Sequence, residues 1–230
     1  REYRRGDPLR RIHWKATART GRLHSRVYEY STLIGANLVL DFSRAAWEGD
    51  DPQRAELAVT TVASIAAHLV DRKQQVGLVS NGGDAADIMP AEGAGLSAPT
   101  RQRIYQLLAQ REHTDRLSPV HIPVRRGEHQ LHLIMRALAR LRLSDALTCA
   151  QLLREEAEAW PRECSTIVVV PGVDQELFSA LLSLRHSGFT VVVIIISNPE
   201  SCDRVRPALE AEGVRVMHVG SEAELNVISL

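Results

Sequence analysis

Asp41 and Ser43 stand two residues apart in Asp41-Phe42-Ser43-Arg44-Ala45, directly after the apolar run Leu38-Val39-Leu40. A carboxylate and a hydroxyl carried together to the C-terminal edge of a sheet are hard oxygen donors, the kind that Mg²⁺ or Mn²⁺ takes. His129 and His132 stand three apart on a predicted helix with Glu128 beside them. Such a pair needs a third ligand, so a solvated or capped pair is the simpler reading. His113 and His121 join them only if the fold brings them close. Cys149, Cys164 and Cys202 contain no Cys-x-x-Cys spacing, which argues against a zinc site or a disulfide framework and fits a reducing compartment. Ser80-Asn81-Gly82-Gly83 offers backbone donors to an anion but reads more simply as a turn, because Asn and Gly tolerate positive φ. The chain has no phosphate-binding loop of the Gly-x-x-x-x-Gly-Lys type, no Gly-x-Gly-x-x-Gly and no Gly-x-Ser-x-Gly, so the commonest nucleotide and hydrolase readings find no motif. No catalytic set emerges, and the expectation is a non-enzymatic protein with no cofactor.

Charge is concentrated at one end. The first 26 residues hold nine Lys/Arg against two carboxylates, while the whole chain balances at 28 of each. A neutral protein is therefore a basic strip joined to an acidic body. The strip carries Arg4, Arg5, Asp7, Arg10, Arg11, Trp14, Lys15 and Arg19. Three partners suit it: nucleic acid phosphates with Tyr3 and Trp14 stacking, an anionic membrane surface, or an acidic protein through charge-assisted hydrogen bonds. Aromatics interleaved with arginine, together with a Gly6-Asp7-Pro8 turn, favour ordered packing on the body over a loose polybasic tail, and nucleic acid is the least favoured partner.

The elements that must position these residues follow one pattern. Strands apolar on both faces are expected at NLVLDF, QVGLVS, TIVVV, FTVVVIII and VRVMHV. Between them lie amphipathic helices: one from Asp51-Pro52 with Ala58, Val62, Ile65 and Leu69 inward, one led by Thr100, one after Gly127 with Leu131, Met135, Leu138 and Leu141 on one face, one from Ser144 to Trp160-Pro161, and two closed by Gly188 and Gly213. Alternation at Leu23 to Tyr30 suggests a half-exposed strand, Ile12 and Trp14 another extended piece, and Ile88 a short strand. Pro119 and Pro123 exclude a central strand between them. Buried strands alternating with helices predict a three-layer, doubly wound, mostly parallel α/β domain. The longest apolar run, Val191 to Ile196, falls far short of the roughly 18 residues of a spanning helix. The chain opens on Arg-Glu-Tyr with neither a start Met nor a signal pattern, and reads as a piece of a longer protein.

Tyr3, Gly6-Asp7-Pro8, Arg10, Ile12-His13-Trp14-Lys15, Ala18-Arg19 and Leu23 together resemble the signature of a bacterial family, domain of unknown function 58, related to von Willebrand factor A domains. Arg5 stands where the family usually has proline. The resemblance implies a von Willebrand A-like, Rossmann-type domain over residues 36–230, preceded by a basic extended signature segment over residues 1–35 that packs on it.

It also implies a setting: membrane-spanning helices upstream, a domain on the cytoplasmic side of the bacterial inner membrane, and an adaptor or chaperone-like role with a MoxR-type AAA+ ATPase. Metal-binding A domains use an Asp-x-Ser-x-Ser loop, a Thr from a second loop and an Asp from a third. Here Asp41 and Ser43 remain but Ala45 replaces the second Ser, the helix after Gly127 opens without a Thr, Val170-Pro171-Gly172 lacks the Asp, and Arg44 would bring a positive charge close. Asp174 is better placed as a helix cap. The expected interaction surface is the C-terminal sheet edge around Asp41, Ser43, Asn81 and Gly172, extended by the arginine strip. The alternatives are a domain that binds a divalent metal, Mg or Mn, at Asp41 and Ser43 for binding or hydrolysis, and nucleic-acid binding through the strip.

Overall fold

The computed structural model describes residues 17, 19–23, 35–47, 52–85, 119–145 and 147–227. The chain divides into two units, Arg1–Thr32 and Leu33–Leu230. In the first, Thr17, Arg19 and Thr20 are helical, the Gly21 amide donates to the Thr17 carbonyl at 2.9 Å, and Arg19 is exposed. Arg4, Arg5, Asp7, Arg10, Arg11, Trp14 and Lys15 lie outside the described residues, as do the segments expected around Ile88 and Thr100.

The second unit is built on six strands: β1 (Gly35–Leu40), β2 (Gln75–Ser80), β3 (Val120–Arg125), β4 (Ser165–Val170), β5 (Thr190–Ile195) and β6 (Arg215–His218). They run in the order β3-β2-β1-β4-β5-β6. All neighbours are parallel except β3, which pairs antiparallel with β2. Pro123 is tolerated because β3 is an edge strand. β1 and β4 are buried along their whole length, as strands covered on both faces must be.

Helix α1 (Pro52–Asp71) and α2 (Glu128–Leu138) join the cluster on one face, built from Leu38, Leu40, Leu78, Ile167 and Ile194. Helices α3 (Cys149–Glu156), α4 (Gln175–His186) and α5 (Pro199–Ala211) join the other, built from Val39, Val168, Val170, Val193 and Ile195. The expected three-layer, doubly wound, mostly parallel architecture is present. Asp174 caps α4, accepting from the Leu177 amide at 2.7 Å, and Gly188 and Gly213 close α4 and α5 at φ 93° and 78°.

Three local expectations are corrected. In α2 the buried stripe is Gln130, Ile134 and Leu138, while Met135 is exposed and Leu141 lies beyond the helix in a two-stranded ribbon with Gly83–Asp84. The Gln130 amide takes this inward place because it donates to the Val76 and Pro123 carbonyls, at 2.9 and 2.7 Å, beside the irregular register between β2 and β3. Ser144 does not start a helix: it forms a bridge to Ser43, and α3 begins five residues later under a Thr148 cap. Gly82 is there for space and not for positive φ. A Cβ on it would sit 2.8 Å from the Leu141 side chain.

Candidate functional site

The strand order reverses beside β1, between it and β4, and there the loops that leave their C-terminal ends diverge to opposite faces. In open α/β sheets this is where a crevice forms. A cavity of about 410 Å³ opens there, lined among others by Asp41, Ser43, Thr148, Cys149, Gly172 and Asp174.

β1 delivers Asp41 into the crevice at 4 % exposure. One carboxylate oxygen, Oδ1, accepts three hydrogen bonds, from Ser43 Oγ at 2.8 Å, the Ser43 amide at 3.1 Å and Asn81 Nδ2 at 2.9 Å. Trp47 Nε1 donates to the Asp41 carbonyl at 2.9 Å. Burial raises the Asp41 pKa, the bonds from Asn81 and Ser43 oppose the rise, and the Asp174 charge adds to it. The same environment holds the Cys149 thiol well above its ordinary pKa, first through burial and then through Asp41 and Asp174. Cys149 is thus a neutral, buried thiol and no nucleophile.

Asn81 is not a turn residue with φ > 0. It spends its side chain on three partners: Oδ1 accepts the Phe42 amide at 2.6 Å, and Nδ2 donates to Asp41 and to the Leu147 carbonyl at 2.9 Å. Behind the Asp41 loop, the Arg44 amide donates to the Ser144 carbonyl and the Ser144 amide to the Phe42 carbonyl, at 2.8 and 3.2 Å. Arg44 does not reach the cavity as expected. Its guanidinium pairs with Asp145 at 3.2 Å on the exposed side.

The sequence reading placed Asp41, Ser43 and Gly172 at this edge, and all three line the cavity, with Asn81 bonded directly behind Asp41. It missed Thr148 and looked for a second-loop hydroxyl at the start of α2 instead. Thr148 arrives at the start of α3, where its hydroxyl accepts the Gln151 amide at 3.2 Å and the Gln151 side chain returns a bond to the Thr148 amide. The Thr-x-x-Gln spacing of a capping box was the available signal. His129 and His132 sit on the exposed side of α2, and His121 pairs with Glu156 at 3.0 Å. Among the described residues no three His, Cys, Asp or Glu side chains form a group that could hold a metal.

A divalent cation wants about six converging oxygens. Here Ser43 gives its proton to Asp41, Oδ1 of Asp41 is filled by three donors, the Thr148 hydroxyl and Asp174 are engaged as the caps of α3 and α4, and Ala45 lines the cavity with a methyl group. The residues present do not fit the metal that the resemblance associates with this place.

Fold and site together define a doubly wound α/β domain with an antiparallel edge strand and a polar crevice at its switch point. Residues 1–115, half of the chain, match the family described as "Protein of unknown function DUF58", and the chain belongs to that family. Solved structures similar to it include the pilus adhesin SpaC from Lactobacillus rhamnosus GG, at 11 % identity over 89 % of this chain and 31 % of that one, with a TM-score of 0.52. They also include a von Willebrand factor type A protein from Catenulispora acidiphila, at 14 % identity over 88 % of this chain and 41 % of that one, TM-score 0.46. A third is proximal thread matrix protein 1 from the mussel byssus, at 13 % identity over 84 % and 45 %, TM-score 0.46. The chain spans less than half the length of each, and the likeness is one of fold. None of the curated proteins matches it in sequence.

Proposed function

We propose that this chain is a protein–protein interaction domain whose working surface is the C-terminal sheet edge around Asp41, Ser43, Asn81 and Gly172. The observation that supports this is the crevice itself, a rigidly hydrogen-bonded polar recess of about 410 Å³ at the switch point. Its one thiol is kept neutral by burial and by two carboxylates, and among the described residues no hydrogen bond joins it to a base, so recognition suits it better than nucleophilic chemistry.

The partner we assign is a AAA+ ATPase of the MoxR type, engaged in a chaperone-like or assembly role, with the arginine strip as a further contact of its own. This rests on the family to which the chain belongs. Among the described residues no helix is long and apolar enough to cross a membrane. In this reading, spanning helices elsewhere in the parent protein hold the domain on the cytoplasmic side of the bacterial inner membrane.

Gly172 supplies the test. It is exposed at the cavity rim, and a Cβ built on it meets nothing within 4 Å, so Gly172→Trp obstructs the crevice without disturbing the core. Co-purification with the ATPase should be lost in Gly172→Trp and in Arg10→Glu/Arg11→Glu, while thermal unfolding of both variants stays as in the parent chain. Failure of the two proteins to associate in any nucleotide state overturns the assignment.

A further inference from the structure

The charge polarity seen at the N-terminus recurs inside the folded body, among charged residues that, Asp174 apart, do not line the crevice. Residues 125–142, which are α2 and its flanks, carry five arginines and one carboxylate. Residues 149–213, which supply α3, α4 and α5, carry ten carboxylates and five arginines. The two groups lie on opposite faces of the sheet. Across the sheet the acidic group spans from α3, whose Glu156 pairs with His121 of β3, to α5, which packs on β6, while α2 packs on β2 and β3.

The helical period sorts α2 sharply. Gln130, Ile134 and Leu138 turn inward, and His129, His132, Met135 and Arg136 turn out, continuing Arg125 and Arg126 before the helix and Arg142 after it. Arg140 is engaged with Asp84 at 3.0 Å. Among the described residues, Arg125, Arg126, Arg136 and Arg142 make no ion pair, and neither do the exposed Glu155, Glu158 and Glu212 on the other side. Met135 is 37 % exposed in the middle of the basic stripe. Arginines around an exposed methionine are a composition that protein interfaces favour, and no described aromatic lies on the stripe to stack a base. At the foot of α2 a recess of about 780 Å³, lined by Lys73, Arg126, Leu131 and His132 together with the carboxylates Asp71 and Glu128, gives a docking surface relief.

We infer that the α2 face is a self-association surface, and that its occupant is the acidic α3–α5 side of a second copy of this chain. The acidic patch lies on the opposite face, so the contact is head-to-tail and propagates into a ring or an open row. A helix of this length offers a face of about 16 by 10 Å, far below the ~800 Å² that each partner of a stable interface buries. The association is therefore weak, reversible and carried by charge, and salt suppresses it once the screening length falls below ~10 Å.

Sedimentation velocity on the whole chain tests this with two sets of exposed substitutions, Arg125→Glu/Arg136→Glu/Arg142→Glu and Glu155→Arg/Glu158→Arg/Glu212→Arg. The parent chain should self-associate at low ionic strength and dissociate in high salt. Each variant alone should associate tenfold more weakly or worse, because each then presents like charges to itself. An equimolar mixture of the two should associate again, since reversed face meets reversed flank. The strip at residues 1–26 is unchanged in every sample, so recovery on mixing reports on α2 alone, and circular dichroism confirms that each variant is folded. A parent chain that stays monomeric at low salt overturns the inference, as does a mixture of folded variants that stays monomeric. Failure of the parent chain to associate with the ATPase, with self-association as expected, would strike the crevice reading only.

Discussion

Asn81 Nδ2 donates to Asp41 Oδ1 at 2.9 Å while the other end of the same amide accepts the Phe42 backbone at 2.6 Å. One side chain from the end of β2 thus fixes both the carboxylate and the backbone of the loop that follows β1. It does so at 2 % exposure, where each partner would otherwise be stranded away from water.

Removing that amide should be costly. Asn81→Ala leaves the Phe42 amide and the Leu147 carbonyl without their described partner, and should destabilise the domain by about 2–3 kcal/mol in urea unfolding. A loss within experimental scatter would mean that water or another group replaces the amide.

Asp41 gives a pH signature. Its folded pKa lies above its ordinary 3.8 through burial, so the folded state holds the proton more tightly than the unfolded chain. Stability from this group is present at low pH and is lost as pH rises from about 3.8 through the raised folded value. In Asp41→Asn the carbonyl oxygen keeps the three donors and the charge is absent. The stability of the variant relative to the parent should therefore grow between pH 4 and pH 7, read as the difference in urea midpoint. A difference that shrinks over that range would show that the carboxylate is stabilised as an anion.

Gln130 stitches α2 to the edge of the sheet. Gln130→Leu fills the same space but orphans the Val76 and Pro123 carbonyls that the amide now satisfies, and should cost about 2 kcal/mol. Amide exchange should accelerate first at β3, the edge strand that loses its tie. Uniform acceleration over all six strands would place the bond in global stability alone.

Titration of the whole chain with Mg²⁺ or Mn²⁺ should give no binding heat, because Ala45 supplies no oxygen and Asp41 Oδ1 is already saturated by donors. Measurable heat that disappears in Asp41→Ala would show that the cavity rearranges to make a cation site after all.

Much of this fold is written locally. β4 and β5 are runs of β-branched residues with no polar face, and only a sheet covered on both sides accommodates them. Asp174, Gly188 and Gly213 announced the ends of α4 and α5 because capping is decided within a turn of the chain. What escaped the reading depends on distant partners. Gln130 looks like a solvent residue until β2 and β3 present two open carbonyls to it, and Met135 looks like core until Gln130 takes the inward side. Ser144 looks like a helix cap until the Asp41 loop claims it as a bridge. The crevice divides the same way. Asp41, Ser43 and Gly172 follow strand ends, which the sequence shows, while Thr148 and Cys149 enter from a segment about a hundred residues further along, which no periodicity near Asp41 reveals.

The Ser43 to Ser144 bridge also decides how the crevice deforms. It joins the loop after β1 to the approach to α3, and Asn81 bonds to both sides of that seam. Among the described residues no hydrogen bond ties Pro171, Gly172 or Val173 across to them. The recess is thus a vise with one welded jaw. The Asp41 side is the wall tied into both neighbouring segments, and the Gly172 side is the wall that, among the described residues, is not tied to it.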